Sequence, residues 1–123
     1  MKDYIKAIDY YLKSLQIKKN LFGENHADVA TLLNNIGILE NNVGDGAKSI
    51  EYHEQALAIR KILYGENHND VAISLWNIAA AFATLKDYIK VIEYYEKSLQ
   101  IKKNLFGENH DDIAILLKNI GIM

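Results

Sequence analysis

The sequence predicts an all-α fold, a solenoid of antiparallel helix hairpins, on three observations. A 42-residue repeat runs through the chain, apolar residues recur at helical spacing inside each unit, and proline is absent. The string Gly-Glu-Asn-His stands at 23–26, 65–68 and 107–110, so the step is 65 − 23 = 42 and 107 − 65 = 42. Laying residues 2–39 on 86–123 leaves eight mismatches in 38 positions; the middle copy has diverged further but keeps register, as at Ile8, Ile50 and Ile92. The 123 residues then divide into one repeat array with units at 4–45, 46–87 and 88–123, the last incomplete. In such an array each unit buries its apolar face against its neighbours.

The elements follow in order. From Ile5, apolar residues return at Ile8, Tyr11, Leu12, Leu15, Leu21 and Phe22, one face of a helix expected over 3–22. Lys18 and Lys19 suit the negative end of its dipole, and Gly23 supplies the left-handed residue beyond it. Asn25 is the expected N-cap of the next helix, with Asp28 in the first turn. That helix, 27–42, carries Val29, Leu32, Leu33, Ile36 and Leu39 on one side and stops near Gly44-Asp45. The same reasoning places helices at 46–64, 69–85 (stopping near Lys86-Asp87), 88–106 and 111–122, six in all.

Composition narrows the function. Fourteen Lys and Arg against 16 Asp and Glu give a formal charge of −2, which argues against a dedicated nucleic-acid or anionic-membrane binder. With no cysteine there is no disulfide, thiolate metal site or cysteine nucleophile. The longest wholly apolar run, Ile78 to Ala83, is far short of the roughly 20 residues that span a bilayer, and the first residues open no signal-peptide core. The expectation is a soluble, cytoplasmic protein.

A helix pair with small residues at fixed sites, Gly37, Ala79 and Gly121 on the first helix and Ser14, Ala56 and Ser98 on the second, resembles the tetratricopeptide repeat. Its usual unit is about 34 residues, so a 42-residue step adds about one turn to each helix. That length, with Leu32-Leu33-Asn34-Asn35-Ile36-Gly37 and Gly65-Glu66-Asn67-His68-Asn69-Asp70-Val71-Ala72, is similar to the repeat of kinesin light chain and its bacterial relatives. Ala27, Asn69 and Asp111 stand where that family usually has proline, and Gly44-Asp45-Gly46-Ala47 replaces the aromatic start seen at Tyr4 and Tyr88. The resemblance implies a right-handed solenoid whose first helices line a concave face that binds peptides. The family's preference for acidic, tryptophan-bearing peptides does not carry over, because Lys118 is nearly the sole cation expected in the groove.

On those first helices Asn35, Asn77 and Asn119 recur at the 42-residue step, a ladder of amides able to donate to and accept from an extended backbone. Around them the units vary: Thr31, Asn34, Ile38 and Asn41 in one, Ile73, Trp76, Ala80 and Thr84 in the next, Ile115, Lys118 and Ile122 in the last. The candidate groove is Asn34, Asn35, Ile38, Ile73, Trp76, Asn77, Ala80, Lys118 and Asn119, for a protein or peptide partner. The competing reading has the asparagines bonded to one another or to the adjacent helix and Trp76 packed.

His26, His68 and His110 invite a metal reading, but units stacked about 8–10 Å apart cannot bring all three within about 2.2 Å of one ion. They are expected to bond backbone at the turn. His53 replaces Tyr11 and Tyr95 as a packed ring; Tyr10, Tyr52 and Tyr94, with Tyr11 and Tyr95, are expected interhelix contacts. Lys18-Lys19 and Lys102-Lys103 read as solvated helix ends. Polar residues come in threes, no unique catalytic cluster stands out, and neither enzyme activity nor cofactor nor metal is expected.

The array opens with a second-type helix and finishes on a first-type one, with no polar capping repeat. Ile5, Ile8 and Leu12 at one end, and Leu116, Leu117 and Ile120 at the other, are therefore candidate self-association residues. The function expected is a protein–protein scaffold; the alternative is a self-associating array, a homo-oligomer without a separate ligand.

Overall fold

The computed structural model describes residues 2–107 and Lys118. Five α-helices run through them: α1 (Lys2–Phe22), α2 (Ala27–Asn42), α3 (Gly46–Tyr64), α4 (Asn69–Thr84) and α5 (Tyr88–Phe106). Of the expected sixth helix, 111–122, all but Lys118 lies outside the described residues. There is no strand among the described residues.

Two kinds of turn alternate, and two copies of each lie wholly among the described residues. After α1 and α3, Gly23 and Gly65 take φ of +83° and +82° and end the helix, their N–H groups donating to Lys19 and Lys61 carbonyls at 2.9 Å. The next helix begins at Ala27 or Asn69, as expected, but its cap is a different residue. The N-caps are His26 and His68, not Asn25 and Asn67: each imidazole Nδ1 accepts the N–H two residues on, from Asp28 at 3.1 Å and Asp70 at 3.0 Å. The second turn is tighter. Gly44 at φ +92° and Lys86 at φ +62° occupy the same left-handed position. Asp45 and Asp87 then cap α3 and α5, accepting from Lys48 and Lys90 N–H at 3.0 and 3.3 Å. A non-glycine residue there costs about 1–2 kcal/mol, so the turn before α5, at Lys86, carries strain that the turn before α3, at Gly44, does not.

Each helix packs on the next, and the cores lie at the three-helix junctions. Leu15 of α1, Val29, Ala30, Leu33 and Ile36 of α2, and Ala56 and Ile59 of α3 form one cluster. Ala79 with Val91, Tyr95 and Leu99, and Val71, Ala72 and Leu75 with Ile101, form two more between α4 and α5. Full burial of a side chain such as Leu33 or Ile78 is worth about 1.5–3 kcal/mol. Of the small sites, Gly37, Ala56, Ala79 and Ser98 are buried, Ser14 is half-buried and Gly121 lies outside the described residues; Ser98 Oγ donates to the Ala72 carbonyl at 2.9 Å.

Second-neighbour helices show how the array bends. α2 approaches α4, whereas α1 and α3, like α3 and α5, share no backbone approach within 8 Å. Helices α2 and α4 are thus on the inner side of the curve. The gaps on the outer side appear as two clefts one repeat apart, about 200 Å³ lined by Lys19, Leu33 and Ile59, and about 470 Å³ lined by Lys61, Leu75 and Ile101.

Two sequence expectations change. Tyr10 is an exposed ring rather than an interhelix contact, while Tyr52 and Tyr94 pack against buried clusters. Lys102 is buried, not a solvated helix end, and donates to Asn69 Oδ1 at 2.6 Å. Arg60, its equivalent in α3, is buried too and donates to Ser74 Oγ at 2.9 Å and the Asp70 carbonyl at 3.3 Å; burial lowers its pKa despite the nearby Asp70 carboxylate.

Candidate functional site on the inner face

Helix α2 is held by α1, α3 and α4, which leaves one stripe open. It runs Asp28, Thr31, Asn35, Ile38 and Asn42, at steps of three and four, all exposed except half-buried Asn35. On α4 the stripe repeats 42 residues on as Asp70, Ile73, Asn77, Ala80 and Thr84, where Ile73 and Thr84 are exposed and the rest half-buried. Between its acidic helix starts and helix ends the strip carries no charge. Asp28 is held by Lys18 at 3.3 Å, and apart from Asp28 and Asp70 the side chains are hydroxyl, amide or apolar.

The asparagines do not form a rung between equivalent positions. Asn77 Nδ2 donates to Asn34 Oδ1 at 2.8 Å, a diagonal link between α4 and α2 that ties adjacent units together. Asn34 is buried beneath the open stripe rather than on it. Asn77, half-buried, thus spends one donor inside the protein, and an amide has a carbonyl and a second N–H besides. Deeper in α2, Asn41 Oδ1 is buried without a hydrogen-bond partner; the sequence marked this position only as variable.

Trp76 is half-buried, meeting Tyr95 edge-on with centroids 5.3 Å apart and planes at 69°. Burial raises the pKa of the Tyr95 hydroxyl. The indole is therefore part of the α4–α5 junction, with one side turned outward. Lys118 is exposed; Asn119 lies outside the described residues, as do Leu116, Leu117 and Ile120. Among the end residues, Ile5 and Leu12 are exposed and Ile8 is half-buried.

Two of the loop histidines stack on the last aromatic ring of the preceding helix, His26 on Phe22 at 4.4 Å and His68 on Tyr64 at 4.2 Å; His110 lies outside the described residues. With Nδ1 given to the cap, these rings serve the turn. Among the described residues no group of three or more His, Cys, Asp or Glu side chains is disposed to hold a metal ion, and no helix is long and apolar enough to cross a membrane.

A family model for the tetratricopeptide repeat matches residues 1–41 and 28–104. The fold is similar to the crystal structure of BtubC (BKLC) from P. vanneervenii, with a TM-score of 0.89 at 24% identity, over 98% of this chain and 48% of that one. The chain thus spans about half the length of that protein. No curated protein matches the sequence.

Proposed function

Since the chain belongs to the tetratricopeptide repeat family, whose 42-residue members are of the kinesin light chain-like type, we propose that it is a protein–protein interaction module that holds an extended segment of a partner along the inner face of α2 and α4. The observation that carries this reading is the open stripe itself: two adjacent first helices present Asn35, Ile38, Ile73, Asn77 and Ala80 in 42-residue register. Amides there can pair with peptide backbone, and Ile38 and Ile73 accept apolar side chains. The absence of charge along its middle favours a neutral segment. Trp76 contributes the outward side of its indole. The protein acts by binding, without catalysis or cofactor.

The test is a displayed library of random linear peptides, selected on the wild-type chain and re-measured on variants. Ala80→Arg fills the middle of the stripe and is expected to abolish binding of the selected peptides. Trp76 and Asn77 replaced together by alanine should do the same, although loss of the Tyr95 contact and the Asn34 bond will lower the melting temperature. Lys97→Glu on the outer side should leave affinity unchanged. Peptides that bind Ala80→Arg as well as wild type would overturn the groove.

A second reading, self-association, is favoured by a specific observation at α1. Ser49, His53, Ala56 and Arg60 of α3 are all buried, as are Val91, Tyr95, Ser98 and Lys102 of α5, yet their equivalents Ala7, Tyr11, Ser14 and Lys18 are only half-buried.

A further inference from the structure

Two large apolar side chains stand exposed on the inner face, Ile38 on α2 and Ile73 on α4. They do not occupy equivalent positions. The residue 42 after Ile38 is Ala80, and the residue 42 before Ile73 is Thr31. Two diagonals therefore cross the strip between the helices. The one from the later turns of α2 to the early turns of α4 has isoleucine at both corners; the other has threonine and alanine.

The length of the apolar diagonal follows from the bond that ties the helices together. Asn77 Nδ2 donates to Asn34 Oδ1 at 2.8 Å, which sets residue 77 of α4 nearly level with residue 34 of α2. The two helices are separated by one reversing helix, α3, and so run the same way along the strip. Ile38 lies four residues beyond that level and Ile73 four residues short of it. Eight residues of helix rise about 12 Å, and packed helices lie about 8–10 Å apart. The corners are then about 15 Å from each other. An extended chain advances about 3.3 Å per residue, so four or five residues span that distance. Only the even step returns a side chain to the same face of the strand, which selects four. Asn35 and Asn77 flank the middle of the diagonal, and no charged side chain of either stripe stands between its corners.

Resting on the groove reading, we infer that the partner's segment crosses the strip along this diagonal in extended form, one apolar residue against Ile38, a second four positions away against Ile73, and uncharged residues between. The amides can hold backbone of any sequence, so selectivity resides in the two isoleucines, each placed where the neighbouring unit has a threonine or an alanine.

The displayed library of linear peptides, selected separately on wild type, Ile38→Lys and Ile73→Lys, tests this. Wild type should enrich two apolar positions four apart with uncharged residues between them. Each lysine variant should exchange one apolar preference for Asp or Glu and keep the other, and the two variants should exchange opposite members. A peptide selected on wild type should bind either variant about tenfold or more weakly, and replacing its matching apolar residue by Glu should restore most of that loss. Ile38 and Ile73 are 40% and 37% exposed, so both variants should melt with the wild type. Peptides that Ala80→Arg blocks, but that show no spacing of four or keep their preferences in the lysine variants, would leave the groove standing and overturn this track. A library without binders, or binders indifferent to Ala80→Arg, would overturn the groove and the track with it.

Discussion

Two successive hairpins solve the same packing problem with different side chains. In α4–α5, Tyr95 packs with Ala79. In α2–α3, His53 takes the tyrosine's place and Gly37 the alanine's, and a Cβ added to Gly37 would come within 2.7 Å of His53 Nε2. The imidazole has moved into the room that the missing methyl leaves. What differs is the polar consequence. His53 is wholly buried with Nδ1 unpartnered, whereas Tyr95 keeps a slight exposure. A position that looks like one aromatic substituted for another is therefore a coupled pair of changes, and the middle unit carries a buried imidazole where its neighbour carries a phenol.

The largest expected effect follows from that group. Burial, with Arg60 adding to it, lowers the His53 pKa from 6.5 to about 4. Between those values the unfolded chain binds a proton that the folded chain refuses, so stability is full above about pH 6.5 and falls as pH drops toward 4. The gap corresponds to about 3 kcal/mol at about 1.36 kcal/mol per pH unit. His53→Tyr should remove this part of the acid sensitivity, read as the difference between the two proteins' urea-derived stabilities at pH 7.5 and pH 4.5. Equal slopes in both would mean that His53 is hydrated in solution.

A smaller effect tests whether the pair is coupled. Gly37→Ala gains helix propensity of about 0.8–1 kcal/mol but drives a methyl into the His53 ring, an overpacking cost of about 1–3 kcal/mol. Net destabilisation of about 1 kcal/mol is expected in the wild type. In a His53→Tyr background the same change rebuilds the Ala79–Tyr95 arrangement and should be neutral or stabilising. Additive single effects, measured as a double-mutant cycle by chemical denaturation, would contradict the comparison.

Much of this fold could be read from the chain. The 42-residue step and the apolar spacing placed the five described helices to within a residue or two, and the family match agrees with them. What could not be read lies in relations between elements. α1 and α5 are nearly the same sequence, yet Ser14 is half-buried and Ser98 fully so, because α5 has the preceding first-type helix, α4, packed on that face, whereas among the described residues α1 packs only on α2, the helix that follows it. The Asn77–Asn34 bond escaped a reading that pairs equivalent positions, since neighbouring helices are staggered and the link runs between position 35 of one unit and position 34 of the other in α2 numbering. Lys102 looked solvated because a lysine near a helix end usually is; the acceptor that draws it inward, Asn69, lies 33 residues back.

The loop histidines mark the smallest effect and the most local misreading. Asparagine is the better N-cap by intrinsic preference, which made Asn25 the expected cap of α2, yet His26 takes that place, and in α4 His68 caps while stacking on Tyr64. The ring does two jobs that an amide cannot do together. Nδ1 replaces one missing helical acceptor, and the imidazole face fastens the cap to the end of α3. His68→Ala should cost about 1 kcal/mol for the cap and about 0.5–1 kcal/mol more for the ring contact. His68→Asn should recover the first part and not the second. If asparagine restored full stability in thermal melts at neutral pH, the stack on Tyr64 would contribute nothing. If it restored none, the cap geometry would depend on the ring, and the repetition of Gly-Glu-Asn-His would reflect the Tyr64–His68 and Phe22–His26 stacks more than the hydrogen bond.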